Sequence, residues 1–170
     1  VKSLAPYFTS YIQQRLPELV SKEELELGGL TVETTLNLKW QKLAQEKINY
    51  AIRNYGPYEG FEQAALASVD PRNGEIRALI GGNDFSKSQF NRATQAQRQP
   101  GSTFKAFVYS AAIAAGFSPY RGYIDGKYVV DGYEPHNYGK TYRGSVSMKD
   151  ALTSSINIVA VKTLVDVGFE

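Results

Sequence analysis

The chain has 170 residues, 42% hydrophobic and 21% charged, which suffices for one domain with a core, or a domain plus an adaptor, and argues against disorder over most of its length. A net charge of +2 with scattered basic residues leaves no electrostatic footprint for nucleic acid or an anionic surface. Cysteine is absent and His136 is the single histidine; this excludes a disulfide scaffold, a thiol nucleophile and a multi-histidine zinc site, and allows a Ser-His-Asp triad only if His136 serves it.

No stretch reaches the about 18–20 apolar residues of a membrane-spanning helix. Val1-Lys2-Ser3-Leu4-Ala5-Pro6 does not read as a signal peptide. Both ends look cut, and the chain reads as a piece of a longer protein. Tyr7, Phe8, Tyr11, Ile12 and Leu16 recur at helical spacing, and Pro17 ends or kinks that helix. Ser21 caps a short helix with acidic first-turn residues, and Gly28-Gly29 stops it. The β-branched run Leu30 to Thr35 predicts a strand. Asn37 caps a longer helix to about Asn54, which Gly56-Pro57 breaks; Trp40 is expected as its packing anchor.

The organisation changes near Phe61. Ala64 to Val69 and Glu75 to Ile80 flank Asp70-Pro71-Arg72-Asn73-Gly74, a turn in which Pro presets φ and Asn-Gly tolerates positive φ, so a β-hairpin is expected. Residues 83–99 read as a polar loop anchored by Phe90. Pro100 to Ala115 is apolar nearly all round and predicts a buried central helix closed by Gly116. Residues 117–145 are expected as loop with a short strand near Tyr128 to Val130. Helices are expected from Ser147 and from Ile156 to Val167.

Ser102 and Lys105 stand three residues apart at the start of the apolar helix, on one face. A serine hydroxyl attacks well only when a base takes its proton, and a neutral lysine one turn along can do so. Free N–H groups at a helix start favour a developing oxyanion and disfavour a protonated lysine nearby. From its free pKa of about 10.4, lysine must fall by about three to act as a base near neutrality, or roughly 4 kcal/mol, which burial and a second cation can supply. The plain alternative is a cap and a solvated lysine. Against it stand the apolar surroundings of Lys105 and the tight entry forced by Pro100-Gly101. Ser155-Ile156-Asn157 places a hydroxyl and an amide two residues apart, able to relay a proton and hold an amide, although such residues also cap helices.

Gln99-Pro100-Gly101-Ser102-Thr103-Phe104-Lys105 resembles the active-site helix entry of the penicillin-binding transpeptidases, with Ser155-Ile156-Asn157 as their second motif. Gly28 to Leu36 and the following helix resemble the segment joining the glycosyltransferase and transpeptidase modules of class A, bifunctional penicillin-binding proteins; Ala67 to Gly82 resembles the first hairpin of the transpeptidase sheet. The resemblance implies an α/β (α+β) fold of the penicillin-binding, serine β-lactamase-like kind, here truncated: an antiparallel sheet flanked by helices. Residues 1–60 are then the linker between the two modules, and residues 61–170 the N-terminal part of the transpeptidase domain.

It further implies a peptidoglycan D,D-transpeptidase. Ser102 is the nucleophile for a D-Ala-D-Ala stem peptide, Lys105 its general base, Ser155 a proton relay, and Asn157 a holder of substrate or lysine. The oxyanion is expected on the backbone N–H of Ser102, and an acceptor amine resolves the acyl-enzyme. β-Lactams acylate the same serine. Neither cofactor nor metal is implied. The expected location is extracytoplasmic, with the parent protein anchored in the membrane by a segment not in this chain. The third family motif, Lys-Thr/Ser-Gly on a strand, is absent; Lys162-Thr163-Leu164 does not supply it, having Leu for Gly and a helical context. The chain alone is therefore expected to be inactive. Two alternatives stay open: a D,D-carboxypeptidase or β-lactamase of the same fold, and a non-catalytic penicillin-recognising or scaffold domain. The tyrosines between 120 and 142 line a groove or, more simply, pack the loop; His136 is expected at the surface.

Overall fold

Local capping signals place most of the elements. In the computed structural model, which describes residues 3–168, the chain divides into two units, Val1–Gln97 and Arg98–Glu170.

In the first unit, Pro6 occupies the first position of helix α1 (Pro6–Arg15), and Pro17 turns its end into a 3₁₀ turn at Leu16–Glu18. Helix α2 (Lys22–Leu27) opens on a full capping box, with the Ser21 side chain accepting from the Glu24 N–H and Glu24 reaching back to the Ser21 N–H. The strand expected at Leu30 to Thr35 does not form. Its residues lie exposed as far as Thr34; Thr35 Oγ1 and the Asn37 N–H donate to the carbonyls of Ile76 and Arg77, and Arg77 Nη1 donates to Thr35 O at 3.4 Å. β-Branched side chains favour a strand only with a neighbour to pack on, and this segment has none along most of its length.

Asn37 Oδ1 caps helix α3 (Leu38–Asn54) at the Trp40 N–H, 3.1 Å away. Trp40 is half-exposed and lies outside the core, bordering a shallow cleft with Leu66 and Ala78; α3 turns Gln41, Ala44 and Ile48 inward instead. A short helix, α4 (Gly56–Glu59), follows the break. The expected hairpin is present as β1 (Leu66–Val69) paired antiparallel with β2 (Ile76–Ile80), with a bulge at Ser68/Val69. Ala78 and Ile80 of β2 pack on Ala44 and Ile48, and Leu79 packs on Ala5 and Phe8. The buried Gln41 amide completes β2 like a neighbouring strand, donating to Leu79 O at 2.9 Å and accepting from the Leu79 N–H at 2.8 Å. After Gly81-Gly82 the polar loop is anchored by the buried Asn91, while Phe90 is exposed. Asn91 accepts from the Ala93 N–H and donates through its own N–H to Gln95 Oε1, so polar bonding to the backbone, not an aromatic plug, orders the loop.

In the second unit, a 3₁₀ turn (Gly101–Phe104) leads into helix α5 (Lys105–Ala114). The expected strand near Tyr128 to Val130 is only an isolated bridge between Val130 and Tyr133. The pairing strands are β3 (Gly122–Asp125) and β4 (Gly144–Ser147), antiparallel, with Tyr123 opposite Val146. Alternation in β3 turns Tyr123 and Asp125 inward. Ser147 caps helix α6 (Met148–Thr153), and helix α7 (Asn157–Val167) follows. One core joins Tyr109 and Ala112 of α5, Tyr123, Met148 and Ala151, and Ile156, Val159 and Ala160. Contrary to the expectation of a helix buried on all sides, α5 buries one face, Lys105, Val108, Tyr109 and Ala112; Phe104, Phe107 and Ile113 remain exposed, because within this unit α7 covers only one side of α5. The α/β class with antiparallel strands among helices holds, its strands forming two separate two-stranded sheets.

Candidate active site

Gly101, at φ 56, makes the entry that delivers Ser102 into the 3₁₀ turn, a conformation glycine adopts without steric penalty. In a 3₁₀ turn residues i and i+3 nearly eclipse, so Ser102 Oγ and Lys105 Nζ come within 3.2 Å.

The second half of the site is built by the end of α6. The Ile156 N–H donates to Ala151 O and the Ser155 N–H to Leu152 O, the paired bonds of a Schellman C-cap. That motif requires a left-handed residue at its turn, usually glycine. Here Ser155 takes it, at φ 54. The reversal turns both oxygens of Ser155 toward Lys105: Nζ lies 2.6 Å from Ser155 O and 2.9 Å from Ser155 Oγ. Ser155 Oγ also lies 3.1 Å from Ser102 Oγ. Asn157, the first residue of α7, places Oδ1 2.5 Å from Nζ. The orientation of its amide is set by Nδ2, which donates to His136 O at 2.8 Å. All four predicted residues, Ser102, Lys105, Ser155 and Asn157, thus meet at one point.

Lys105 Nζ has four neighbours, two of which, Ser155 O and Asn157 Oδ1, can only accept. A neutral lysine has two N–H donors and one lone pair. Giving the two N–H bonds to those two acceptors turns the lone pair to the hydroxyls. With Lys105 neutral, Ser102 O–H can then donate to Nζ and Ser155 O–H to Ser102 Oγ, a directed chain that leaves only the 2.9 Å approach of Nζ to Ser155 Oγ without a hydrogen between the two atoms. Lys105 is buried, 8% exposed, and burial holds its ammonium pKa below the usual lysine value. A cavity of about 430 Å³ opens over Ser102 and Lys105, bordered by Phe104, Tyr133, His136 and Asn157.

Of the six tyrosines between 120 and 142, Tyr133 alone borders this cavity; Tyr123 is in the core, and Tyr120, Tyr138 and Tyr142 are exposed. His136 is at the surface as expected, and its carbonyl, not its ring, holds the site residue Asn157. Lys162-Thr163-Leu164 lies within α7: Thr163 is fully buried, Lys162 donates to Ile124 O at 2.7 Å, and Leu164 alone of the three borders the cavity, with an apolar side chain. Sequence reasoning missed Asp125 and Asn137, which stand behind Asn157. The one available signal was an acid on the inward-facing register of a four-residue strand, and the strand itself was placed elsewhere.

Residues 64–170 match the family model of the penicillin-binding protein transpeptidase domain. The chain belongs to this family. Over 98% of its length the chain is 36% identical to penicillin-binding protein 2D of Bacillus subtilis, covering 25% of that protein. Over 99% it is 38% identical to penicillin-binding protein 1F of the same organism, covering 24% of it. Among solved structures, the penicillin-binding protein PonA1 from Mycobacterium tuberculosis superposes over 96% of this chain and 41% of its own, with a TM-score of 0.79 at 26% identity. A structure of PonA1 in complex with penicillin V superposes over 92% of this chain and 40% of its own, with a TM-score of 0.72 at 28% identity. The chain therefore spans about a quarter of the length of these curated relatives. The expectation of a class A penicillin-binding protein, represented by part of its transpeptidase region, stands.

Proposed function

We propose that this chain carries the nucleophile of a peptidoglycan D,D-transpeptidase, with residues 1–60 linking a glycosyltransferase module to the N-terminal part of a transpeptidase domain at 61–170. The observation that supports this best is the convergence of Ser102, Lys105, Ser155 and Asn157 from two separate segments on one partly buried lysine. In the proposed reaction Ser102 Oγ attacks the penultimate D-Ala carbonyl and its proton passes to Lys105 Nζ. The developing oxyanion takes a hydrogen bond from the Ser102 backbone N–H. The peptide C–N bond breaks, the departing D-Ala amine takes a proton relayed by Ser155 Oγ, and an ester remains on Ser102. An acceptor amine then attacks that ester, forms the new peptide bond and returns the proton to Ser102. With a β-lactam the ring C–N bond opens but its amine stays attached, so no leaving group vacates the site. The setting is extracytoplasmic, in a membrane-anchored parent protein.

The test is the purified full-length protein incubated with a fluorescent penicillin. One label per chain, on the peptide holding Ser102 and lost in Ser102→Ala, is the expected result; absence of label, or label that survives Ser102→Ala, overturns the reading. Product analysis with a D-Ala-D-Ala peptide and an acceptor amine separates transfer from hydrolysis.

A further inference from the structure

We propose that Asp125 and Asn137 act as a positioning pair that holds Asn157, and through it the Lys105 amine, in register with Ser102; this rests on the reading of Ser102 as the nucleophile. Helix α7 receives no side-chain cap from its own N-cap residue, Ile156. The cap comes from Asn137, whose Oδ1 accepts from the N–H groups of Asn157 at 3.1 Å and Ile158 at 3.2 Å. Residues 136 and 137 therefore grip Asn157 twice: the His136 carbonyl takes its side-chain amide, and the Asn137 side chain takes its backbone.

Asn137 is itself held. Its Nδ2 donates to Asp125 Oδ1 at 2.8 Å and to Thr141 O at 2.9 Å. Asp125 is 1% exposed, on the inner face of β3, and its other oxygen accepts from the Arg143 N–H at 2.9 Å. A buried carboxylate is tolerated only with its oxygens bonded, and it reads the amide of residue 137 as a donor. Fixing Nδ2 on Asp125 points Oδ1 at α7, so the buried acid selects the orientation in which residue 137 can cap. The chain of contact runs from β3 through Asp125, Asn137 and the α7 terminus to Asn157 Oδ1 and Lys105 Nζ. Without the Asn157 acceptor, one Nζ hydrogen loses its partner and the lone pair is no longer aimed at Ser102.

The experiment uses the full-length protein and a charge exchange. Asn137→Asp sets two carboxylates face to face and is expected to slow acylation by fluorescent penicillin between about 10-fold and 100-fold, the range that misplacement of a reacting group by about 1 Å produces. Asn137→Ala does the same by removing the cap. The double variant Asp125→Asn/Asn137→Asp restores one donor and one acceptor at the 125–137 contact and sets an anion at the α7 terminus, while the exposed Thr141 carbonyl loses its donor to water; acylation is expected to recover by at least half of the logarithmic loss seen in Asn137→Asp. In parallel, the ¹³Cε resonance of Lys105, assigned by its loss in Lys105→Met, is expected to move in Asn137→Asp and to return in the double variant. A fall in melting temperature with unchanged acylation per folded molecule, and an unmoved Lys105 resonance, overturns the positioning role. A wild-type protein that never labels at Ser102 overturns the transpeptidase reading instead; the Lys105 resonance then still decides the pair.

Discussion

Ser155 occupies a backbone conformation that costs a non-glycine residue about 1–2 kcal/mol, in the C-cap turn where helices normally place glycine. The hydroxyl that points at Ser102 and Lys105 is the compensation. Stability and chemistry are therefore expected to separate here. Ser155→Gly relieves the strain and stabilises the fold by up to about 1 kcal/mol, once the greater freedom of unfolded glycine is set against it. It also removes the proposed relay hydroxyl and is expected to lower acylation about 100-fold or more. Ser155→Ala keeps the strain and loses the same activity. Denaturant unfolding and penicillin acylation of both variants check this, and wild-type acylation in Ser155→Gly contradicts it. At Lys105, burial disfavours the charged form, so the folded pKa lies below the ordinary value of about 10.4. The proposed base acts when deprotonated, so the acylation rate is expected to rise with pH along a limb centred below about 10.4. A rate–pH profile with its limb at or above that value excludes Lys105 as the base.

At the scale of elements, the second unit rests on α5 packed against α7, with Tyr109 in the shared core. The Tyr109 hydroxyl makes no well-formed hydrogen bond among the described residues, with the Thr163 hydroxyl, itself donating to Val159 O, as its polar neighbour, and burial pushes its pKa up to about 12. An unpartnered buried hydroxyl costs desolvation without return, so Tyr109→Phe is expected to leave stability unchanged or to raise it by up to about 1 kcal/mol, measured by thermal unfolding. Destabilisation would instead mean that the hydroxyl is bonded. Capped elements were the most legible in the sequence: Ser21, Asn37 and Ser147 each mark a helix start through a short-range bond. Strands were less legible. Leu30 to Thr35 has strand-forming residues without a ladder, whereas Gly122–Asp125 forms a ladder because a segment about 20 residues later returns to it.

For the whole molecule, the proposed base needs a pKa lowered by about three, and Lys105 is the sole lysine or arginine bordering the cavity among the described residues. The 170-residue chain on its own is therefore expected not to take up fluorescent penicillin under conditions that label the full-length protein; stoichiometric, Ser102-dependent labelling of the chain alone would refute this. From the sequence by itself one could read the family by its resemblance, and the hairpin, the capped helices and the candidates Ser102, Lys105, Ser155 and Asn157, because spacing along a chain encodes local geometry. It could not show that Ser155 reaches the lysine through a left-handed turn with two oxygens, nor that Asp125 and Asn137 stand behind Asn157. Those contacts join residues 12 to 50 apart in the chain, and only the pairing of β3 with β4 and the packing of α5 on α7 bring them within hydrogen-bonding distance.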